Sequence, residues 1–325
     1  MSPLTATRAA GAPTMAPPMA APPLVPTAEP NEAAPIADFV RLASFEATRP
    51  SDAEIAAFAA AAARGTPVYV SAVPTRPPAE QVAIAQRLAA CGFEPVPHLA
   101  ARNFASATAL DDHLARLVEV GVRRLLVIGG DRDAPAGAFH HAIEVIESGS
   151  PQNRGIREIG IAGYPEGHPR VAATEIDRAL AAKIEAASAT GLGVHIVTQF
   201  AFAPAPILAF IARLRDTGIE QTVRIGLAGP ASVATLLRYA AICGVAASAR
   251  AFARNAGLAK HLLGANAPDA IIRALAAARG AGALGDVAPH FFTFGGLGAT
   301  ARWAAAAAAG RVALDRSGGF RVEGP

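Results

Sequence analysis

Eight short apolar runs, each ending in a polar or glycine-rich corner, recur along the chain. They occupy residues 40–46, 68–71, 93–98, 125–131, 159–164, 194–199, 223–229 and 290–295. Nearly continuous apolar character is typical of strands in a parallel sheet whose outer face is covered by helices. Segments with helical spacing of apolar residues lie between the runs. The alternation predicts an α/β fold, a (β/α)8 TIM barrel, whose chemistry lies at the carboxyl ends of the strands.

Helix start and stop signals separate the runs. Ser51 with Glu54 three residues later forms a capping box, and Gly65 supplies a stop signal. Helices are predicted over residues 51–65, 78–92, 106–121, 138–147, 174–189, 204–218, 232–242 and 299–309. Residues 246–282 leave room for two extra helices before the last strand, which would be an insertion relative to a minimal barrel.

The first 34 residues differ in composition from the rest. Residues 1–34 are dominated by Ala, Pro and Thr, which predicts a disordered tail with polyproline II character. Residues 35–325 are expected to form one barrel domain that carries the catalytic site. The start of the chain lacks a basic segment followed by an apolar one, and there are 2 cysteines. These features favour a cytoplasmic protein.

Charge and hydropathy narrow the classes of partner. The net charge is +3, the arginines are scattered, and no basic run has interleaved aromatic residues, so nucleic-acid binding is not expected. No apolar run reaches the roughly 18–20 residues that cross a membrane. The apolar fraction of 52% indicates a large core. Neither nucleic acid nor a membrane is therefore expected as a partner. A homo-oligomer is also expected.

Two carboxylates end predicted strands. Glu46 follows Phe45 at the end of the first run, and an apolar setting is expected to raise its pKa and make it a general acid. The alternative is a solvated loop carboxylate. Asp131 follows Gly129 and Gly130, and two glycines allow a ligand to approach the backbone closely. The alternative there is an ordinary turn.

Three further strand ends carry groups suited to a planar, polar ligand. Tyr164 and His168 lie in a loop flanked by prolines, which would hold a ring and an imidazole in place. The amide of Gln199 offers both donors and an acceptor, although it could instead satisfy loop backbone groups. His98 is a candidate donor to a ligand oxygen, or to a neighbouring loop.

Other chemistries lack their signals. No His-x-x-x-His spacing occurs, and His140 and His141, on a predicted helix, would point about 100° apart, so no metal site is predicted. Lys183 and Lys260 fall in helical stretches rather than on strands, which argues against a Schiff-base lysine. The Gly-x-Gly-x-x-Gly match at residues 280–285 follows a helix, so it does not indicate a dinucleotide-binding turn.

Several short motifs occur in order on successive strand ends. They are Ser44-Phe45-Glu46, Gly130-Asp131, Tyr164-Pro165-Glu166-Gly167-His168-Pro169, Val197-Thr198-Gln199-Phe200 and His290-Phe291-Phe292-Thr293-Phe294. In these motifs the chain resembles the methylenetetrahydrofolate reductase family, of the bacterial single-domain type, over about residues 39–304. The resemblance implies non-covalently bound FAD, NADH or NADPH as hydride donor, and reduction of 5,10-methylenetetrahydrofolate to 5-methyltetrahydrofolate in one-carbon metabolism and methionine biosynthesis.

The resemblance also implies roles for individual residues. Glu46 corresponds to the general acid, and Asp131 to an aspartate that stabilises a cationic folate and positions it. Gln199 and Phe294 correspond to folate-binding positions. Residues implied to contact the flavin are Ser71, His98, Gly129, Gly130, Asp131, Tyr164, His168 and Lys183.

Some positions depart from the family pattern, which indicates a divergent branch. Gly129 stands where an arginine is common, and Gly295-Gly296 follows Phe294 in place of Asn-Arg. Two alternatives therefore stay open: a flavin-independent reductase with direct hydride transfer, and a folate-binding barrel without catalysis. The reaction could also run in reverse, in one-carbon catabolism.

Overall fold

The computed structural model describes residues 32–245, 265–316 and 318–324. Most of the predicted tail, and much of the predicted insertion before the last strand, lie outside the described residues. Within them, no helix combines the length and the apolar character needed to cross a membrane.

Eight parallel strands form a closed barrel in the order β1-β8-β7-β6-β5-β4-β3-β2. The strands are β1 Ser44–Ala47, β2 Pro67–Val70, β3 Glu94–Ala100, β4 Arg124–Ile128, β5 Glu158–Gly163, β6 Gly193–Thr198, β7 Val223–Ala228 and β8 Val287–Phe292. The barrel closes through β1, which pairs with both β2 and β8. The predicted TIM barrel is confirmed.

Helices connect successive strands and cover the outer face of the barrel. They are α1 Ala33–Val40, α2 Asp52–Ala59, α3 Pro78–Ala90, α4 Ala107–Glu119, α5 Ala142–Glu147, α6 Ser150–Asn153, α7 Ala173–Ala189, α8 Pro204–Asp216, α9 Val233–Cys243, α10 Asp269–Gly280 and α11 Leu297–Ala308. The capping box at α2 is confirmed, because the Ser51 hydroxyl accepts from the Glu54 N–H at 3.2 Å. Short antiparallel ribbons join Ala231–Ser232 to Ala265–Asn266, and Val312–Leu314 to Phe320–Val322.

Several predicted element boundaries are wrong. The helix predicted over residues 51–65 ends at Ala59, and the strand predicted over residues 290–295 spans Val287–Phe292. Two further errors have physical causes, and the first concerns β1. Helix α1 ends at Val40 and β1 begins only at Ser44, so the predicted strand over residues 40–46 covers the end of a helix and a turn as well. Helix α1 buries Phe39 and Val40 and packs on α10 and α11. A short apolar segment does not reveal by its pattern whether it is helix or strand.

The second error concerns the helix after β4. Helix α5 starts at Ala142 rather than at residue 138, so His140 and His141 precede it, and the expected 100° separation of helical side chains does not apply to them. The backbone N–H of His141 donates to the Glu144 carboxylate at 3.0 Å, which fixes this helix start. In the described residues, no group of three or more metal-ligating side chains is arranged to hold an ion.

The main core lies between the strands and the helices. Phe45 points outward from β1 and meets Phe58 of α2 edge-to-face, with ring centroids 5.1 Å apart. The barrel interior holds a smaller apolar group around Tyr69, formed with Val96, Leu126 and Val197. Since side chains alternate along a strand, Ser44 and Glu46 face this interior while Phe45 does not.

Charged groups close the amino-terminal end of the barrel. Arg124 donates to Glu158 at 3.0 Å and to Glu94 at 3.1 Å. His195 Nδ1 lies 2.6 Å from the other Glu158 oxygen. Burial alone would raise the pKa of Glu158, but His195 and Arg124 lower it to about 2.

We expect Glu158→Gln to remove an acid-sensitive part of the stability. Because the Glu158 side chain is 30% exposed and screened by solvent, the depressed pKa contributes roughly 1–3 kcal/mol above pH 4.5, which is lost as the pH falls towards 2. Urea unfolding at neutral and acidic pH should therefore show a deficit in the variant that shrinks on acidification. A deficit that does not change with pH would contradict this account.

Candidate active site at the barrel mouth

Glu46 lies inside the carboxyl end of the barrel and contacts side chains from three other strands or strand ends. Its Oε1 accepts from Ser71 Oγ at 2.9 Å. Its Oε2 lies 3.6 Å from His98 Nε2 and 3.5 Å from His290 Nε2. The Glu46 side chain is 16% exposed, so this acid cluster of Glu46, Ser71, His98 and His290 is largely shielded from solvent.

The local sequence explains how Glu46 reaches this position. Alternation along β1 buries Phe45 in the outer core and turns Glu46 inward. Thr293, just after β8, donates its hydroxyl to the Glu46 carbonyl at 2.6 Å and ties the ends of the two neighbouring strands together. The carboxylate is therefore held on rigid strands rather than on a loop.

The expected rise in the pKa of Glu46 is wrong. Burial alone would raise it, but His98, His290 and the Ser71 hydroxyl outweigh burial and hold the pKa below its ordinary value. Burial in turn lowers the pKa of both His98 and His290. Because the three groups are in contact, they titrate as one coupled cluster rather than as separate residues.

His290 has a role that the sequence did not assign to it. The side chain is fully buried, with Nδ1 3.0 Å from Ser44 Oγ and Nε2 directed at Glu46. His290 begins the motif over residues 290–294 but is internal to β8 rather than at its end. The register that places it opposite Ser44 is the signal that identifies it.

Asp131 lies at the corner that follows β4 and is exposed. Gly130 precedes it with φ +93°, a conformation that favours glycine, and a Cβ there would also lie only 3.0 Å from the Cβ of Ala100. The negative charge of Asp131 acts on its neighbours. Burial and, to a smaller extent, the Asp131 charge raise the pKa of Tyr164. Burial lowers the pKa of His98, whereas the Asp131 charge acts to raise it.

The proline-flanked loop after β5 holds its two rings against each other. The Tyr164 and His168 rings meet edge-to-face with centroids 5.1 Å apart. The N–H of Arg170 donates to His168 Nδ1 at 3.2 Å, which orients the imidazole. These contacts give the loop the fixed ring and imidazole that its sequence predicts.

One end of the Gln199 amide is hydrogen-bonded to the backbone of its own loop. Its Oε1 accepts from the N–H of Phe200 at 3.1 Å, as the alternative interpretation had it. Among the described residues no acceptor is bonded to its Nε2, which leaves a donor for a ligand.

Phe294 belongs to an aromatic wall beside the mouth. Its ring stacks on Tyr239 of α9 with centroids 4.1 Å apart and planes at 13°. Phe292 and Phe200 complete the wall, with centroids 5.7 Å and 5.1 Å from Phe294. Tyr239 is a residue that the sequence did not reveal, because an aromatic residue on a helix gives no sign of what it faces.

A flavin dinucleotide is anionic and needs cations and hydrogen-bond donors where it binds. Lys183 of α7 is half-buried, burial lowers its pKa to about 8, and no carboxylate of the described residues forms an ion pair with it. A shielded ammonium without a counter-ion suits a phosphate. His98 Nε2 is buried without a hydrogen-bond partner. The residues present therefore fit the cofactor, although Gly129 offers no cation.

A cavity of about 250 Å³ opens beside the acid cluster. Its lining includes Thr48, Ser71, His98 and Asn103. The cavity brings Ser71 and His98, both expected at the cofactor, to the same surface that leads to Glu46.

The fold and the acid cluster define a (β/α)8 barrel with its polar site at the carboxyl ends of the strands. Residues 66–276 match the sequence model of the family described as methylenetetrahydrofolate reductase. The chain belongs to the methylenetetrahydrofolate reductase family, which makes it a member of a family of folate oxidoreductases.

Two solved structures align with this chain at low sequence identity. An uncharacterized protein from Clostridium thermocellum, described as binding two copies of 5-methyl-5,6,7,8-tetrahydrofolic acid, has a TM-score of 0.54 and 11% identity, covering 82% of this chain and 93% of its own. A phosphoenolpyruvate phosphomutase from Streptomyces platensis subsp. rosaceus aligns with a TM-score of 0.38 and 15% identity, over 60% of this chain and 72% of its own. The first similarity supports the barrel fold.

Proposed function

We propose that the protein is a methylenetetrahydrofolate reductase that uses NAD(P)H and bound FAD to convert 5,10-methylenetetrahydrofolate into 5-methyltetrahydrofolate. The observation that carries the proposal is Glu46, shielded at the mouth and contacted by one hydroxyl and two imidazoles. Family membership supports the substrate class. The ligand named for the Clostridium thermocellum protein is the product of the proposed reaction.

The acid cluster supplies the proton that ring opening requires. Cleaving the methylene bridge of the substrate leaves a nitrogen that must be protonated, and a positioned acid supplies that proton. Glu46 passes the proton to the nitrogen, and the coupled cluster of Glu46, His98 and His290 takes up a new proton for each turnover. Since the cluster must carry a proton to act, we expect folate reduction to slow as the pH rises.

Asp131, Gln199 and Phe294 bind and polarise the folate. Ring opening leaves a cationic iminium, and the fixed negative charge of Asp131 stabilises that cation. Gln199 Nε2 donates to the pterin edge, while the aromatic wall around Phe294 covers an apolar face of the substrate.

The flavin is proposed to bind through groups on four segments of the chain. Lys183 would pair with a phosphate, Tyr164 and His168 would hold one face, His98 would donate a hydrogen bond, and the backbone at Gly130 would allow close approach. When bound, FAD would supply the hydride-transfer chemistry that links oxidation of the nicotinamide to reduction of the folate.

We expect Lys183→Met to weaken FAD binding. Losing a charge-assisted contact costs about 1.5–3 kcal/mol, which is roughly a ten- to hundredfold rise in the Kd. The Kd is measured by titrating FAD into apoprotein and following flavin fluorescence. Arg178→Met is the control, because it removes a cation from the same helix that is already paired with Glu175. Equal Kd values for the two variants would contradict the assignment of Lys183.

The absorption spectrum of the purified protein tests the cofactor itself. Bound FAD predicts flavin bands in the visible spectrum that stay with the protein through gel filtration. A colourless protein that reduces the folate with NAD(P)H alone would support the flavin-independent alternative, which the loss of a cation at Gly129 favours. That outcome would overturn the flavin part of the proposal and leave the folate part intact.

A further inference from the structure

A second polar chain crosses the barrel interior beside the acid cluster, and the proposed reaction makes no use of it. Tyr69 Oη lies 2.6 Å from His195 Nε2. His195 Nδ1 lies 2.6 Å from Glu158 Oε1, and Glu158 in turn accepts from Arg124. We call these four residues the anchor chain. They come from β2, β6, β5 and β4.

The close contacts of the anchor chain favour one direction of hydrogen bonding. Burial raises the pKa of Tyr69 far above its ordinary range, so the phenol keeps its proton and can donate it to His195 Nε2, 2.6 Å away. In that tautomer the His195 proton is on Nδ1, 2.6 Å from an oxygen of the ionised Glu158. The chain therefore runs one way and ends on an ion pair with Arg124.

The sequence makes room for this arrangement. A Cβ at residue 160 would lie 2.6 Å from His195 Nε2, so Gly160 of β5 allows the imidazole to reach the phenol. Tyr69 and His195 are almost fully buried, at 0% and 1% exposure. Burying polar groups costs free energy unless they are paired, and close polar contacts at both ring nitrogens hold the His195 imidazole in one arrangement.

The anchor chain holds the ring of Tyr69 in contact with the ring of His290. The two rings meet edge-to-face, with centroids 4.6 Å apart and planes at 70°. Ser44 bonds His290 on the other side, through Nδ1 at 3.0 Å. Between these contacts the imidazole has one orientation, and that orientation directs Nε2 at Glu46.

We propose that Tyr69 is a positioning residue for the acid, acting through His290. The anchor chain holds the phenol ring, the ring holds the His290 imidazole, and the imidazole then keeps its Nε2 on Glu46. The catalytic consequence rests on the proposed function of Glu46, whereas the effect on His290 does not.

Tyr69→Phe tests the proposal because it keeps the ring and removes only the hydroxyl. Histidines labelled with ¹⁵N report their tautomers by NMR without cofactor or substrate, and His290→Gln identifies the signal of His290. We expect the parent to show His290 as one neutral tautomer, and the variant to show exchange between two. A changed His195 signal beside an unchanged His290 signal would overturn the proposal.

A pair of substitutions at His195 provides an independent test if Tyr69→Phe does not fold. His195→Gln keeps an acceptor for the phenol and a donor for Glu158, whereas His195→Leu keeps neither. We expect the glutamine variant to retain the parent signal of His290 and the leucine variant to lose it. Equal His290 spectra in the two variants would overturn the proposal.

Single-turnover folate reduction adds the catalytic readout. We expect Tyr69→Phe to slow it about tenfold, the value of one lost hydrogen bond, and to change its pH dependence, with the FAD Kd unchanged. Thr300→Val is the matched control, since it removes a buried hydroxyl bonded to the Gly296 carbonyl, outside the anchor chain. A parent without folate reduction would contradict the proposed function, while the NMR result would still decide the role of Tyr69.

Discussion

Glu46→Gln is expected to slow the reduction of 5,10-methylenetetrahydrofolate by roughly a thousandfold, within the range for loss of a general acid. Glutamine fills the same space and still accepts from Ser71, but it has no proton to transfer. Reduction of bound FAD by NAD(P)H needs no acid at this position, so its rate should match the parent. Stopped-flow absorbance measures the two half-reactions separately.

The control for Glu46→Gln is Glu80→Gln. Glu80 lines the cavity next to the acid cluster and pairs with Arg49 at 3.2 Å, so this control makes the same charge change near the mouth. The pH dependence adds a second check, because the decline at high pH that we expect for the parent should disappear in Glu46→Gln. Folate reduction at the parental rate in the Glu46 variant would show that the acid lies elsewhere.

Asp131→Asn is expected to slow folate reduction by about a hundredfold, at the lower end of what one preorganised electrostatic group contributes. The amide keeps the shape of the corner after Gly130 but removes the charge that stabilises the iminium cation. Rapid quenching followed by analysis of 5-methyltetrahydrofolate measures the effect directly. The matched control is Asp133→Asn, two residues further along, whose carboxylate is 97% exposed and pairs with Arg170. If the two variants were equally active, the role of Asp131 would be excluded.

The barrel could be predicted from the sequence because its strands are buried on both faces. Continuous apolar runs bounded by glycine and polar corners locate such strands closely: residues 159–164 were expected where β5 spans Glu158–Gly163. Helix α1 escaped prediction for a physical reason. Its N-cap residue, Glu32, makes no side-chain capping bond, so no start signal marks this eight-residue helix, and its last residue, Val40, falls within the predicted first strand.

The site, too, could be predicted only in part from the sequence. Residues at strand ends, such as Glu46 and Asp131, can be named from the sequence because the fold dictates where strand ends lie. Contacts inside the barrel cannot be named in this way. Ser44 and His290 are 246 residues apart, and Tyr69 and His195 are 126 apart. The direction of the Glu46 pKa shift depends on such contacts, and for that reason burial alone predicted the wrong sign.

An anaerobic single turnover with the full chain tests the proposed reductase activity most directly. The protein is loaded with FAD, reduced with NADH or NADPH, and mixed with 5,10-methylenetetrahydrofolate while flavin absorbance and folate products are followed. Reductase activity predicts that the absorbance of oxidised flavin returns as 5-methyltetrahydrofolate forms in equal amount. Failure to form 5-methyltetrahydrofolate with either nicotinamide would contradict it.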